Sequence, residues 1–249
     1  MEPLAPSAVA VVIPTLNEAE SIAAVVREIP REHAREILVV DGGSSDGTRE
    51  LAEAAGARVI TPPQRGYGCA CAAGSAAASP ECEIIAFMDG DGADRGDLLG
   101  RLVEPIRRGE YDFVIASRTR GEREPGAMSW HQLLAGSLAG LGMRALYGVR
   151  FTDMCAYRAI RRDALQRLAM REMTYGWNIE MQMRAARMRL RILEVPLPYR
   201  RRIGGTSKVA GSLRGSLRAA WRIGATFFRV AAASNEKTEN TVQGRSMAR

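Results

Sequence analysis

The sequence predicts an α/β fold, a mostly parallel central sheet flanked by helices. Three observations carry that expectation. Short β-branched apolar runs recur along the first half of the chain, each fit for a strand buried on both faces. Between them lie stretches with apolar residues at i, i+3, i+4 and i+7, the period of an amphipathic helix. The strands return at roughly 20–30 residues, a spacing that suits βαβ units with parallel neighbours. Each run also ends in a polar, turn-forming segment. Ligands of such sheets bind beyond the C-terminal ends of the strands, so these segments are expected on one rim.

After a loose leader over residues 1–8, Val9-Ala10-Val11-Val12-Ile13 reads as the first strand. Pro14, which lacks an N–H, is expected to stop its ladder. Ile22, Val25, Val26 and Ile29 mark a helix. Glu36 to Val40 is a second buried strand, ending in the turn-rich Asp41-Gly42-Gly43-Ser44-Ser45-Asp46-Gly47-Thr48. Arg49–Ala55 is a helix closed by Gly56, and Arg58-Val59-Ile60 a short third strand. Gly66-Tyr67-Gly68 opens an alanine-rich helix through Ala78. The fourth strand, Ile84 to Met88, runs into Asp89-Gly90-Asp91-Gly92-Ala93-Asp94.

Further elements follow: a helix over Asp97–Arg107, a strand over Tyr111–Ser117 delivering Arg118, and an apolar helix over 131–147. Residues 151–160 read as a loop entering an edge strand. Helices over Arg162–Leu168 and Trp177–Met188 precede a strand over Leu190–Val195 closed by Pro196 and Pro198. Tyr199 to Lys208 is a glycine- and arginine-rich loop, apt for phosphate. Residues 209–233 read as a basic amphipathic helix that either lies on a membrane interface or packs on the domain. The polar residues 234–249 are expected to be disordered.

The acidic segment carries the chemistry. Side chains at i and i+2 of a strand point the same way, so Asp89 and Asp91 can face one point. Two carboxylates held that close repel unless a cation sits between them. A hard divalent ion completed by phosphate oxygens is the natural occupant. The alternative is an ordinary acidic turn.

Charge is unevenly placed. Residues 1–143 carry 13 Lys/Arg against 21 Asp/Glu, and residues 144–229 carry 19 against 5, within a total of +7. An acidic first half suits a metal, and a basic second half suits phosphates or an anionic membrane surface. Zinc-finger spacing and an aromatic basic sheet are both missing, which speaks against nucleic acid. Cys69, Cys71, Cys82 and Cys155 read as small buried thiols of a reducing compartment. No signal peptide is evident. The longest uncharged stretch, Pro125 to Met143, is too polar and glycine-broken for a spanning helix. A cytoplasmic chain without a transmembrane segment is expected.

Five stretches in order then carry a resemblance: Val12-Ile13-Pro14-Thr15-Leu16-Asn17-Glu18, Val39 to Thr48, Met88-Asp89-Gly90-Asp91, Ala116-Ser117-Arg118, and Arg202 through Gly205 to Ser207-Lys208. From about Val9 to Lys208 the chain resembles family 2 glycosyltransferases of the GT-A fold, in the branch of dolichol-phosphate mannosyltransferase and bacterial polyprenyl-phosphate glycosyltransferases. The resemblance implies a 9–208 catalytic domain of that fold followed by the amphipathic helix. It assigns Pro14, Thr15, Glu18 and Asp41 to the nucleotide base and ribose. Asp89, Gly90 and Asp91 fall to the diphosphate, with Asp89 and Asp91 as ligands of Mg²⁺ or Mn²⁺. Arg118, Arg202 and Lys208 become catalytic cations at the sugar, the diphosphate and the lipid phosphate, and Asn178 an acceptor-side residue. Helix 131–147 and the C-terminal helix fall where relatives meet the membrane.

The implied reaction is inverting transfer of a hexose from a nucleotide-diphosphate sugar to a polyprenyl phosphate, by a protein peripheral on the cytoplasmic face of the membrane. A lipid phosphate is already ionised and needs no base. A hydroxyl acceptor, soluble or lipid, does, and Asp153 and Glu180 are then the acceptor-side candidates. The third reading is a nucleotide-sugar-binding protein without turnover, against which the intact Asp89/Asp91 pair argues.

Overall fold

A computed structural model describes residues 8–204 and 219–233. Seven strands form one sheet: β1 (Val9–Thr15), β2 (Glu36–Asp41), β3 (Arg58–Ile60), β4 (Ile84–Phe87), β5 (Phe113–Ser117), β6 (Arg158–Arg161) and β7 (Ile192–Pro196). Their order is β3-β2-β1-β4-β6-β5-β7. The β-branched runs sit at its centre because both faces are covered. Val9 to Ile13, Leu38 to Val40 and Ile84 to Met88 are all buried.

The helices are α1 (Ile22–Glu28), α2 (Thr48–Ala54), α3 (Tyr67–Ala77), α4 (Leu99–Arg107), α5 (Trp130–Tyr147), α6 (Arg162–Leu168) and α7 (Trp177–Arg187). A 3₁₀ turn, Gly96–Leu98, leads into α4. Residues 219–233 are helical (α8). Helix α1 packs on α2 and on the turn before α4, whereas α3, α5 and α6 each meet α7.

All strands except β6 run the same way. β1 pairs in parallel with β2 and β4, β2 with β3, and β5 with β7. The C-terminal ends of β1, β2, β4, β5 and β7 therefore open on one rim. Two expectations need correcting. Pro14 does not end β1: pairing with β4 stops at Val12, but pairing with β2 continues through Pro14 and Thr15. The missing N–H falls where the strand has already lost one neighbour, a place that tolerates proline. The segment read as entering an edge strand is interior. β6 lies antiparallel between β4 and β5, and the edges are β3 and β7.

β6 carries a fully buried arginine, Arg158. Its guanidinium donates to the carbonyls of Cys155, Ala156 and Asn178, so the polar group is satisfied by backbone. Because β6 runs against its neighbours, the residues before it, 151–157, lie on the rim where β5 ends.

Helix α8 packs on the domain by one face. Ala219, Thr226 and Val230 are buried, while Trp221 and Phe228 point outward. Gly142 of α5 faces the Phe227 ring. Thr226 Oγ1 and Arg229 donate to Glu172 at 2.9 and 3.0 Å. Among the described residues, no helix is long and apolar enough to cross a membrane. Residues 1–7, 209–218 and 234–249, where the leader, the start of the basic helix and the tail were expected, lie outside the described residues.

Candidate active site

Three loops meet at the rim and are stitched to one another. Ser44 Oγ accepts from the Asn17 N–H at 2.8 Å, and Asn17 Oδ1 accepts from the Ser45 N–H at 3.0 Å. Thr48 Oγ1 accepts from the Glu18 N–H at 2.9 Å. Ser21 Oγ donates to the Gly90 carbonyl at 2.7 Å, tying the acidic loop to the first. A Cβ on Gly90 would come within 2.7 Å of the Thr15 methyl, so the close approach requires glycine.

The four residues assigned to base and ribose gather at this junction. Pro14 and Thr15 pair with Val40 and Asp41 across β1 and β2. Asp41 is buried, and its carboxylate accepts from the N–H groups of Gly43 and Ser44 at 3.2 and 3.0 Å and from the Ser44 hydroxyl. It thus shapes its own turn. Glu18 reaches the other way, to Arg202 at 3.2 Å.

Asp89, Asp91 and Asp94 form the acidic centre. Asp91 Oδ1 caps its own loop through the Ala93 N–H at 2.9 Å. Buried Asp94 accepts the Asp89 N–H at 3.1 Å and closes the loop from below. Burial and then the Asp91 charge push the Asp89 carboxyl up to about 6. Burial and the charges of Asp89 and Asp91 push Asp94 up to about 8. Burial is the larger cause of both shifts, and the neighbouring carboxylates add to it. Among the described residues, no group of three or more His, Cys, Asp or Glu side chains is arranged to hold a metal by itself. A two-carboxylate site completed by phosphate oxygens and water is what that donor set fits.

Tyr67, which sequence reasoning passed over, stands beside the pair. Its hydroxyl donates to Asp89 Oδ1 at 3.3 Å, and Asn178 bonds it from α7. Burial and the Asp89 charge push the phenol well up, so it stays a donor. The signal was its setting, Gly66-Tyr67-Gly68. Both glycines lie against backbone of Glu172 and Met173, closer than any side chain allows.

Cations approach from the ends of β5 and β7. The segment after β7 lies along the acidic loop: the Ile203 N–H donates to the Asp91 carbonyl at 2.9 Å and the Arg200 N–H to the Ala93 carbonyl at 3.0 Å. The Arg200 guanidinium pairs with Glu28 at 2.7 Å and donates to the Asp94 carbonyl at 3.1 Å. Arg202 instead bridges Glu18 and, at 3.5 Å, Asp91. Arg118 pairs in bidentate fashion with Asp153 at 2.8 and 2.7 Å, and its charge is felt at Asp89. Lys208 lies outside the described residues.

The two candidate bases are otherwise engaged. The Asp153 carboxylate is buried, and burial would raise its pKa. The hydrogen bonds and charge of Arg118 outweigh that and hold it below the ordinary range. Glu180 is fully buried. It accepts from the N–H groups of Arg171 and Glu172 at 2.9 and 2.7 Å and pairs with Arg184 at 2.9 Å. Helix packing places it there because a carboxylate near the start of α7 can cap the preceding loop.

Next to the rim, α5 presents an outward apolar row. Trp130, Leu134, Leu138 and Leu141 recur at helical spacing and are exposed, with Leu146 beyond. Trp221 and Phe228 of α8, which meets α5 at Gly142, are exposed as well.

Comparison with known proteins bears on the family and the fold. Residues 10–169 match the family model described as glycosyl transferase family 2. The chain is 37% identical over 218 residues to an uncharacterized glycosyltransferase of Mycobacterium tuberculosis, covering 86% of this chain and 95% of the relative. It is 33% identical to the undecaprenyl-phosphate mannosyltransferase of Micrococcus luteus, covering 82% and 88%. Among solved structures, glucosyl-3-phosphoglycerate synthase from Mycobacterium tuberculosis, bound to Mn²⁺, UDP and phosphoglyceric acid, superposes with a TM-score of 0.72. That match is 24% identical and covers 90% of this chain and 78% of that one; it shows a shared fold.

Proposed function

Because the chain belongs to glycosyl transferase family 2, we propose that this glycosyltransferase moves a hexose from a nucleotide-diphosphate sugar to a polyprenyl phosphate, with inversion at the anomeric carbon. The observation that carries the choice of acceptor is the state of the two candidate bases. Asp153 is locked to Arg118 and Glu180 is buried among N–H donors and Arg184. Neither is placed to take a proton from a hydroxyl, and a phosphate acceptor asks for none. The outward apolar row of α5 supports the same reading, since a polyprenyl chain is presented at a membrane surface. Relatives named as mannosyl- or hexosyltransferases to undecaprenyl, polyprenol and dolichyl phosphates support it too.

In this reading Pro14, Thr15, Glu18 and Asp41 hold base and ribose at the joined ends of β1 and β2. Asp89 and Asp91 would hold Mg²⁺ or Mn²⁺, which supplies Lewis-acid charge to the leaving diphosphate. Arg202, standing between Glu18 and Asp91, faces the place where diphosphate charge develops, and Arg118 adds charge from β5. Such preorganised cations count most as the leaving group becomes negative. Lys208, a short reach beyond Arg202 in the chain, is assigned to the lipid phosphate. Tyr67 and Asn178 hold the acceptor side of Asp89. The protein sits peripherally on the cytoplasmic face, seated by α5 and the C-terminal helix.

The test is a panel of nucleotide sugars offered with polyprenyl phosphate and Mn²⁺, with products identified by mass. A polyprenyl-phosphate hexose is expected. Transfer to hydroxyl acceptors without transfer to the lipid phosphate would refute the acceptor assignment.

A further inference from the structure

The Arg118 side chain is held on more sides than an ordinary surface cation. Its Nε and Nη2 donate to the two oxygens of Asp153 at 2.8 and 2.7 Å, and its own backbone N–H donates to Asp153 Oδ2 at 2.9 Å. The Tyr199 ring lies over the guanidinium, 5.1 Å from its centroid. A guanidinium has five N–H donors in a rigid fork. Asp153 takes two of them from one edge, leaving three directed away from that carboxylate.

The turn that bears Asp153 is itself anchored. Glu194, on edge strand β7, accepts from the Thr152 N–H at 2.8 Å, from Thr152 Oγ1 at 3.0 Å and from the Asp153 N–H at 3.4 Å. Ser117 of β5 bonds the Thr152 hydroxyl at 2.7 Å, and Gln182 of α7 donates to the Asp153 carbonyl at 2.8 Å. Three elements thus fix a turn whose carboxylate fixes one arginine. A buried ion pair is weak evidence for stability, because apolar residues of similar volume often do as well. Such investment at the ligand rim is better explained by the geometry it imposes on the cation.

We propose that Asp153 is a positioning residue for transfer, acting only through Arg118, with Glu194 holding it in register from behind. The inference rests on the donor-side role given to Arg118 above. It replaces the acceptor-side base that the sequence suggested for Asp153. Asparagine at 153 keeps the shape but turns an N–H₂ toward the arginine fork, so the guanidinium loses its bidentate seat. A displacement of about 1 Å at such a group costs on the order of 100-fold in rate.

The experiment compares wild type with Asp153→Asn, Glu194→Gln, Arg118→Ala and the double variant Arg118→Ala/Asp153→Asn. Calorimetry with UDP and GDP in the presence of Mn²⁺ reads nucleotide binding, and steady-state transfer from the donor found by the panel reads kcat and KM separately. The expected result for D153N is a fall in kcat of about 100-fold with KM changed by less than about threefold. E194Q should show a smaller fall of the same kind, and the double variant should be no slower than R118A. A double variant slower than R118A by the full D153N factor would show an independent role, such as a base, and overturn the proposal. So would D153N with wild-type kcat. If D153N fails to fold, by loss of both nucleotide binding and thermal transition, E194Q decides: wild-type kcat there overturns the proposal. Wild type that binds neither nucleotide and transfers from no donor overturns the functional reading itself and takes the positioning role with it.

Discussion

Replacing Leu138 and Leu141 by serine tests whether α5 meets a lipid surface. The two side chains are 60% and 64% exposed, one turn apart on the outward row of the helix. Fully burying a leucine is worth about 2 kcal/mol. Burying the exposed three-fifths of each in a bilayer interface is then worth roughly 1.2 kcal/mol, and the pair about 2.5 kcal/mol. At 1.4 kcal/mol per tenfold, the double variant should bind vesicles about 60-fold more weakly. The fold should not suffer, since surface changes away from buried features usually stay within about 0.5 kcal/mol. The assay is flotation with polyprenyl-phosphate-doped anionic liposomes, beside a thermal melt of each protein. Turnover on vesicle-borne acceptor should fall with binding, while UDP or GDP affinity should not. Unchanged flotation, with an unchanged melt, would refute the assignment of this face to the membrane.

Three other outcomes follow from the site. Arg202→Ala removes the cation bridging Glu18 and Asp91; charge-assisted hydrogen bonds of about 1.5–3 kcal/mol translate to a loss of roughly 10- to 100-fold in Mn²⁺-dependent nucleotide affinity by calorimetry, and undiminished affinity would remove Arg202 from the diphosphate site. For the metal-free protein, the carboxyls of Asp89 and Asp94 titrate near 6 and 8 in the fold against an ordinary value of 3.8. The folded state then binds more protons than the unfolded state between about pH 4 and 8, so this cluster favours folding as pH falls through that window. Asp94→Asn, melted in chelator, should gain on wild type at pH 9 and lose that advantage by pH 5; a gap independent of pH would contradict the shift. Glu172→Ala leaves Thr226 and Arg229 without their buried acceptor. It should cost about 1–3 kcal/mol and expose α8 to limited proteolysis, and a chain as resistant as wild type would show that α8 is held mainly by its other contacts, Phe227 with α5 and Arg229 with Glu180.

The parallel half of the fold was legible because its physics is local. Strands covered on both faces must read as unbroken apolar runs, as Val9 to Ile13 and Ile84 to Met88 do, and the turns that end them must be rich in glycine and aspartate. Once the strands are parallel, their ends share a rim, so the convergence of Glu18, Asp41, Asp89 and Asp91 follows without coordinates. What the sequence hid depends on β6. A four-residue strand that begins and ends in arginine reads as an edge, and only the backbone carbonyls around Arg158 make its interior position tolerable. Strand direction then decides chemistry. An antiparallel β6 brings residues 151–157 to the rim beside the end of β5, and Asp153 meets Arg118 across 35 residues of chain. No local pattern encodes that meeting. The same holds for α8, for which the sequence left packing on the domain or on a membrane interface open and whose Trp221 and Phe228 stay exposed. Packing on α5 through Phe227, and the Glu172 acceptor for Thr226 and Arg229, chose the opposite side. The two exposed aromatics stay on a helix that also carries Arg222 and that meets α5 at Gly142. The anionic bilayer interface proposed for this helix is a medium in which apolar surface with positive charge is favourable.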